Sequence, residues 1–95
     1  MITIANKRDH PQGEYVGRPS VLGNPFKLTR ESEREEVIDK YRQWLKERIR
    51  ECDSDIIAEL SRLKAIADTG DLVLICWCSP KRCHAEVIKE MLEVL

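Results

Sequence analysis

Leu72-Val-Leu-Ile-Cys-Trp-Cys78-Ser-Pro-Lys-Arg-Cys83-His84 is the stretch that decides the fold of this chain. Its apolar run stops at Cys78, a loop with a proline and two cations follows, and Cys83–His84 then opens an amphipathic segment. The run predicts a strand covered on both faces, and the amphipathic segment predicts a helix from about residue 83 to the end. Ligands of open α/β sheets bind at the carboxyl ends of strands. This strand–Cys/His loop–helix unit is therefore also the first candidate site.

The chain ahead of this stretch adds two strands and two helices. Residues 2–5 alternate apolar and polar side chains, and residues 14–16 resemble a second short strand. Ser32 with Glu35 forms the pattern of a capping box before the first helix, and a second helix is predicted to begin near Asp53-Ser54. Apolar residues recur at helical spacing in each of the three predicted helices. In the first they are Val37, Ile38, Tyr41, Trp44, Leu45 and Ile49, and in the second Ile56, Ile57, Leu60, Leu63 and Ala67. In the last they are Val87, Ile88, Met91, Leu92 and Leu95.

This order of elements predicts one α/β domain over residues 1–95, with a small, partly parallel sheet and helices packed on it. Trp44 and Trp77 both lie in apolar patterns, so we expect each to pack in the core. The short strand edges of such a sheet are compatible with a homodimer.

Composition narrows the classes of partner. The net charge is −1, but residues 1–30 carry five cations against two acids. This distribution fits one bound phosphate-sized anion better than nucleic acid, which needs many phosphate contacts. The chain has no signal peptide and no apolar run that could span a bilayer, so we expect a cytoplasmic protein without a membrane partner. Its four cysteines are then thiols or metal ligands rather than disulfides.

The Cys–His cluster carries the most chemistry. Cys83 is predicted in the first turn of a helix beside two cations, and both features lower a thiol pKa. Cys83 is therefore either a candidate nucleophile or a polar thiol that simply caps the helix. His84 either leans toward the core on a backbone hydrogen bond, or makes a polar contact with a ligand or performs acid–base work. Cys76 is predicted to be a small core residue. Zinc bound by Cys76, Cys78, Cys83 and His84 is the alternative, although this spacing is not the usual pair of knuckles.

The loop at residues 17–26 is the second candidate site. Arg18 can fork onto a phosphate, Gly23 allows close backbone approach, and Asn24 offers both a donor and an acceptor. No Walker or dinucleotide fingerprint occurs here, so no cofactor is expected.

The chain resembles domain-of-unknown-function family 4326 in three places, Tyr15-Val-Gly-Arg-Pro-Ser20-Val-Leu-Gly-Asn-Pro-Phe26, Tyr41 with Trp44-Leu45, and Cys76-Trp-Cys78-Ser-Pro80-Lys-Arg-Cys83-His84. Family members usually have Gly after Cys–His, where this chain has Ala85, a mild departure. The resemblance covers nearly the whole chain and implies an α/β fold with one site shared by the two loops. It also implies a phage or bacterial source, a setting that favours nucleotide chemistry.

The leading hypothesis is a protein that binds, and as an enzyme would also process, a phosphorylated nucleotide-like small molecule. The ligand would lie between loops 17–26 and 78–84, and a pure binder would sequester a nucleotide signal. The predicted ligand-binding residues are Arg18, Ser20, Gly23, Asn24, Cys78, Ser79, Lys81 and Arg82, and the predicted catalytic residues are Cys83 and His84. The alternative is a zinc-stabilised interaction module, which binds metal and unfolds on chelation.

Overall fold

A computed structural model describes residues 1–9, 12–78 and 81–94 of the protein. Its elements follow the predicted order. They are β1 (Ile2–Asn6), β2 (Glu14–Tyr15), α1 (Arg34–Arg50), α2 (Ser54–Thr69), β3 (Leu72–Cys76) and α3 (Ala85–Val94), with a short 3-10 turn at Glu31–Glu33 before α1.

The sheet has the order β1-β3-β2, and β3 pairs with both neighbours in parallel. Ile4 lies opposite Leu74, and Tyr15 lies opposite Ile75. Because all three strands run the same way, their carboxyl ends meet at one edge of the sheet. This confirms the predicted α/β class and brings the residues that follow β2 and β3 to the same side.

The buried residues form one cluster between the sheet and the helices. Leu74 of the central strand, Leu45 of α1, Leu63 of α2 and Val87 of α3 are all fully buried in it. Four of the five residues of β3 are buried, as expected for a central strand covered on both faces. No helix within the described residues is long and apolar enough to cross a membrane.

Two helix starts differ from the sequence prediction. The prediction that Ser32 and Glu35 form a capping box is wrong. The helix α1 begins at Arg34, and its N-cap residue Glu33 makes no side-chain cap. The 3-10 turn at Glu31–Glu33 shifts the start of the helix past Ser32. The Glu33 carboxylate accepts a hydrogen bond from Thr29 Oγ1 at 2.5 Å. The last helix begins at Ala85, two residues after the predicted start.

Two apolar residues predicted to point inward are exposed. Trp77 is 55% exposed because β3 ends at Cys76 and nothing covers the next side chain. Ile57 is 36% exposed on α2. The predicted inward position of Leu95 lies outside the described residues, and the homodimer stays a prediction.

Candidate functional site

A cavity of about 390 Å³ lies at the edge of the sheet where the strands end. Its wall is built by the end of β2, the loop at residues 17–26, the start of α1, and the chain between β3 and α3. Of the predicted site residues, six line this cavity, Arg18, Asn24, Cys78, Arg82, Cys83 and His84. The structure therefore brings the two predicted loops to one cavity.

Three other predicted ligand residues do not line the cavity. Ser20 and Gly23 form a turn, in which the Gly23 N–H donates to the Ser20 carbonyl at 2.9 Å. A Cβ on Gly23 would meet Arg18 Cα at 3.0 Å, so this glycine permits close packing within the loop. Lys81 points to Glu31, with Nζ 3.2 Å from the carboxylate. Ser79, the remaining predicted ligand residue, lies outside the described residues.

His84 is held in the core, as one of its two interpretations predicted. Its side chain is buried, and Nε2 lies 2.7 Å from the Val16 carbonyl, which can only accept, so Nε2 carries a proton. The Tyr41 ring meets the imidazole edge-on, with centroids 5.0 Å apart. Burial lowers the pKa of His84 from its usual 6.5. The ring is therefore neutral near pH 7, with Nδ1 unprotonated on a residue that lines the cavity.

Cys83 differs from the sequence prediction in its electrostatics. The thiol is buried, and its Sγ lies 3.3 Å from Cys76 Sγ. The hydrogen bond with Cys76 and then burial raise the pKa of Cys83, whereas the Ala85 N–H acts in the opposite direction. The predicted lowering of the pKa is therefore wrong. The predicted burial of Cys76 is confirmed.

The two cations near Cys83 face carboxylates, which explains this outcome. Arg82 pairs with Glu35 and with Glu86, and Lys81 pairs with Glu31. The carboxylates that compensate these two positive charges lie outside the cavity. The two cations therefore do not stabilise a thiolate at Cys83. The roles of Cys83 and His84 in catalysis stay predictions.

Arg34 is a cavity residue that sequence reasoning missed. It lies on the charged side of the first helix, which reads as an ordinary solvated face. Its guanidinium donates to the Arg82 carbonyl at 2.7 Å, pairs with Glu31, and interacts electrostatically with Cys78. Arg34 thereby joins the start of α1 to the loop before α3.

Arg18 differs from the other two cavity arginines in its charge partners. Within the described part of the chain its guanidinium contacts no carboxylate, in contrast to Arg34 and Arg82. Its backbone carbonyl accepts a hydrogen bond from the Tyr15 hydroxyl at 2.7 Å, which fixes the loop against the end of β2.

Three aromatic residues complete the wall, Tyr15, Phe26 and Trp77. Tyr15 and Phe26 are partly buried, whereas Trp77 keeps most of its ring exposed. An exposed indole beside a cavity is a surface on which a flat ring can stack.

A metal centre has no ligand set in residues 1–9, 12–78 and 81–94, where no group of three or more Cys, His, Asp or Glu could hold an ion. The Nε2 atom of His84 is also already engaged by the Val16 carbonyl. The zinc alternative is thus unsupported by the arrangement of its four residues.

Comparisons with known proteins agree with the resemblance noted in the sequence. No curated protein and no solved structure matches this chain. A family model described as Domain of unknown function (DUF4326) matches residues 3–94, which is nearly the whole chain. The protein therefore belongs to the DUF4326 family.

Proposed function

We propose that the protein binds a phosphorylated, nucleotide-like small molecule in the cavity between loops 17–26 and 78–84. One observation carries this proposal: the charged residues that line the cavity are three arginines, and no described carboxylate lines it. A wall with cations, without acids and with aromatic rings suits a ligand that is anionic at one end and flat at the other.

The phosphate would be held chiefly by Arg18. Arg34 and Arg82 each face carboxylates, so a bound anion gains less from them. A free guanidinium can donate two parallel hydrogen bonds to phosphate oxygens, and such charge-assisted bonds are the stronger class. One uncompensated cation favours a ligand with one phosphate over a triphosphate.

The base would stack against the exposed ring of Trp77. Stacking of a base on an aromatic side chain is worth about 1–3 kcal/mol. The cavity of about 390 Å³ lies toward the small end of the usual range for ligand pockets, roughly 300–1,000 Å³. This size suits a mononucleotide rather than a dinucleotide.

Binding without turnover is the form of this activity that the site favours. Burial and the raised pKa leave the Cys83 thiol a poor nucleophile in the folded protein. His84 donates one ring nitrogen to the backbone, and its neutral ring offers Nδ1 as an acceptor for a ligand donor. We therefore infer a cytoplasmic binder that sequesters a nucleotide.

Tryptophan fluorescence tests the proposal directly. In a Trp44→Phe protein, Trp77 is the remaining tryptophan, so stacking of a base quenches the whole signal. This protein is titrated with AMP, GMP, CMP and UMP, and with the four corresponding nucleosides as phosphate-free comparisons. We expect saturable quenching by at least one monophosphate and weaker binding of the matching nucleoside.

Arg18→Ala in the same background should weaken binding roughly 10- to 100-fold, the equivalent of one charge-assisted hydrogen bond. Arg50→Ala is the matched control, because it removes the same charge from the exposed end of α1 outside the cavity. The proposal fails if no monophosphate quenches Trp77 with a Kd below about 1 mM. It also fails if Arg18→Ala and Arg50→Ala weaken binding equally.

A further inference from the structure

Two thiols meet in the wall of the cavity. Cys76 is the last residue of β3, Cys83 lies just before α3, and their sulfur atoms are 3.3 Å apart. Neither residue forms a disulfide among the described residues, and both line the cavity. Cys76 is 1% exposed and Cys83 5% exposed, and the cavity is the route by which we expect a reagent from solvent to approach them.

We propose that Cys76 and Cys83 form a redox modification site that closes to a disulfide by exchange with a low-molecular-weight disulfide such as oxidised glutathione. The ligand of the cavity protects this pair, a second part of the proposal that rests on the proposed function. The site itself does not depend on the identity of the ligand.

The exchange balances with this one co-reactant. One protein thiol loses its proton, and its thiolate attacks a sulfur of the small disulfide, whose S–S bond breaks and releases a thiolate that takes up a proton. The second protein thiol then loses its proton and displaces the other half of the reagent, which also leaves as a thiol. Two protein thiols are oxidised by two electrons, and one disulfide is reduced to two thiols.

The positions of the two residues favour closure with each other. Cys76 is fixed in the sheet, where its carbonyl accepts from the Lys7 N–H at 2.9 Å, and Cys83 is fixed at the start of α3, where its carbonyl accepts from the Glu86 N–H at 3.1 Å. Their sulfurs are already in contact, so bond formation needs only a small approach. The raised pKa of Cys83 makes this thiol slow to react without a catalyst. Access and proximity therefore decide which pair closes.

The disulfide would tie β3 to the beginning of α3 and restrain the segment that carries Arg82. The other two cysteines differ in position: Cys52 is exposed beyond the end of α1, and Cys78 is half-buried beside Arg34.

The test uses a Cys52→Ser/Cys78→Ser protein, in which only the proposed pair remains. This protein is incubated with oxidised glutathione near neutral pH and followed by intact mass. We expect a product lighter by two hydrogens, with tryptic peptides 65–81 and 83–89 joined. Adding Cys76→Ala should leave one thiol and allow at most one glutathione adduct. The wild-type chain should give the same joined peptides even if a variant folds poorly, with fragment ions that place the link at Cys76 and not at Cys78.

A stable glutathione adduct without loss of two hydrogens would overturn the disulfide site, and so would thiols that react only after unfolding. Protection is measured separately by adding the monophosphate that binds best. At about ten times its Kd, oxidation should be roughly tenfold slower, because only the free protein reacts. If that ligand quenches Trp77 but leaves the oxidation rate unchanged, access through the cavity is wrong. If no nucleotide binds and the disulfide still forms, the proposed function fails and the modification site stands.

Discussion

At the scale of single residues, the loop at residues 17–26 is anchored by buried polar groups that find backbone partners. Tyr41 is fully buried, and its hydroxyl donates to the Leu22 carbonyl at 2.7 Å. His84 donates to the Val16 carbonyl at the same distance. A buried carbonyl without a partner is costly, so these two side chains decide where the loop is held.

Tyr41→Phe should lower the free energy of unfolding by about 1–3 kcal/mol, because it leaves the Leu22 carbonyl buried and unpaired. The measurement is urea denaturation. Tyr15→Phe is the matched control, since its hydroxyl also donates to a loop carbonyl at 2.7 Å but near solvent. It should cost about 0.5 kcal/mol. Equal losses in the two variants would contradict a special role for the buried bond.

Replacing His84 by Gln should change how stability depends on pH. Burial lowers the folded pKa of His84 below its ordinary 6.5. Below that ordinary value the unfolded chain binds more protons than the folded one, so stability is lost as pH falls, by at most about 1.4 kcal/mol per pH unit.

The free energy of unfolding is measured by urea for both proteins between about pH 8 and pH 5.5. The stability of the wild type relative to His84→Gln should be greatest above pH 6.5 and shrink below it. His10 is common to both proteins and cancels in the difference. Parallel curves would contradict a buried, neutral His84.

At the scale of elements, the starts of α1 and α2 differ in whether a side chain caps them. Asp53 caps α2 by accepting from the Ile56 N–H at 3.2 Å, and α2 begins at Ser54, where the sequence predicts its start. Ser32 belongs to the predicted capping box with Glu35, but it lies in the 3-10 turn, and the N-cap residue of α1 makes no side-chain cap. The capping pattern therefore predicts the presence of α1 without fixing its first residue.

Asp53→Ala should cost about 1 kcal/mol of unfolding free energy, because the first turn of α2 loses its acceptor. Asp53→Asn should retain most of this stability, since an amide oxygen also accepts. Ser32→Ala is the control from the unused pattern and should stay within about 0.5 kcal/mol of the wild type. Thermal denaturation distinguishes the variants, and a larger loss in Ser32→Ala than in Asp53→Ala would refute this assignment.

At the scale of the whole molecule, two arginines of α1 join this helix to distant parts of the chain. Arg34 donates to the Arg82 carbonyl, and Arg42 pairs with Glu90 of α3 with a closest N–O distance of 3.1 Å. Both links span 48 residues of sequence. Of these two arginines Arg34 lines the cavity and Arg42 does not, so we expect a change at Arg34 to reach the candidate site and a change at Arg42 to affect only the packing of α1 on α3.

Arg34→Ala should weaken nucleotide monophosphate binding roughly tenfold, because it removes a cavity cation and frees the Arg82 carbonyl. Arg42→Ala should leave the affinity unchanged. Each variant should lose about 1 kcal/mol of stability or less, as expected for ion pairs near the surface. Titration of Trp77 fluorescence gives the affinities and urea denaturation the stabilities. Equal affinities for the two variants would show that Arg34 acts only in folding.

The fold and the location of the site were largely predictable. The continuous apolar run of β3 predicted a central strand, and the loops at residues 17–26 and 78–84 meet at one cavity as expected. The pKa of Cys83 was not predictable from the sequence. Proximity in sequence indicates that Lys81 and Arg82 lie beside this thiol and lower its pKa. In the structure Glu31 and Glu35, about fifty residues earlier in the chain, compensate them.

Apolar periodicity and turn residues predicted the presence and the order of the strands and helices, because these signals act over a few neighbours in the sequence. Three further properties depend on tertiary packing: within the described residues Arg18 contacts no carboxylate, Cys83 is buried against Cys76, and Trp77 is exposed. These properties depend on which side chains from distant parts of the sequence pack beside each of these residues. Helix docking sets that packing, and no local pattern encodes it.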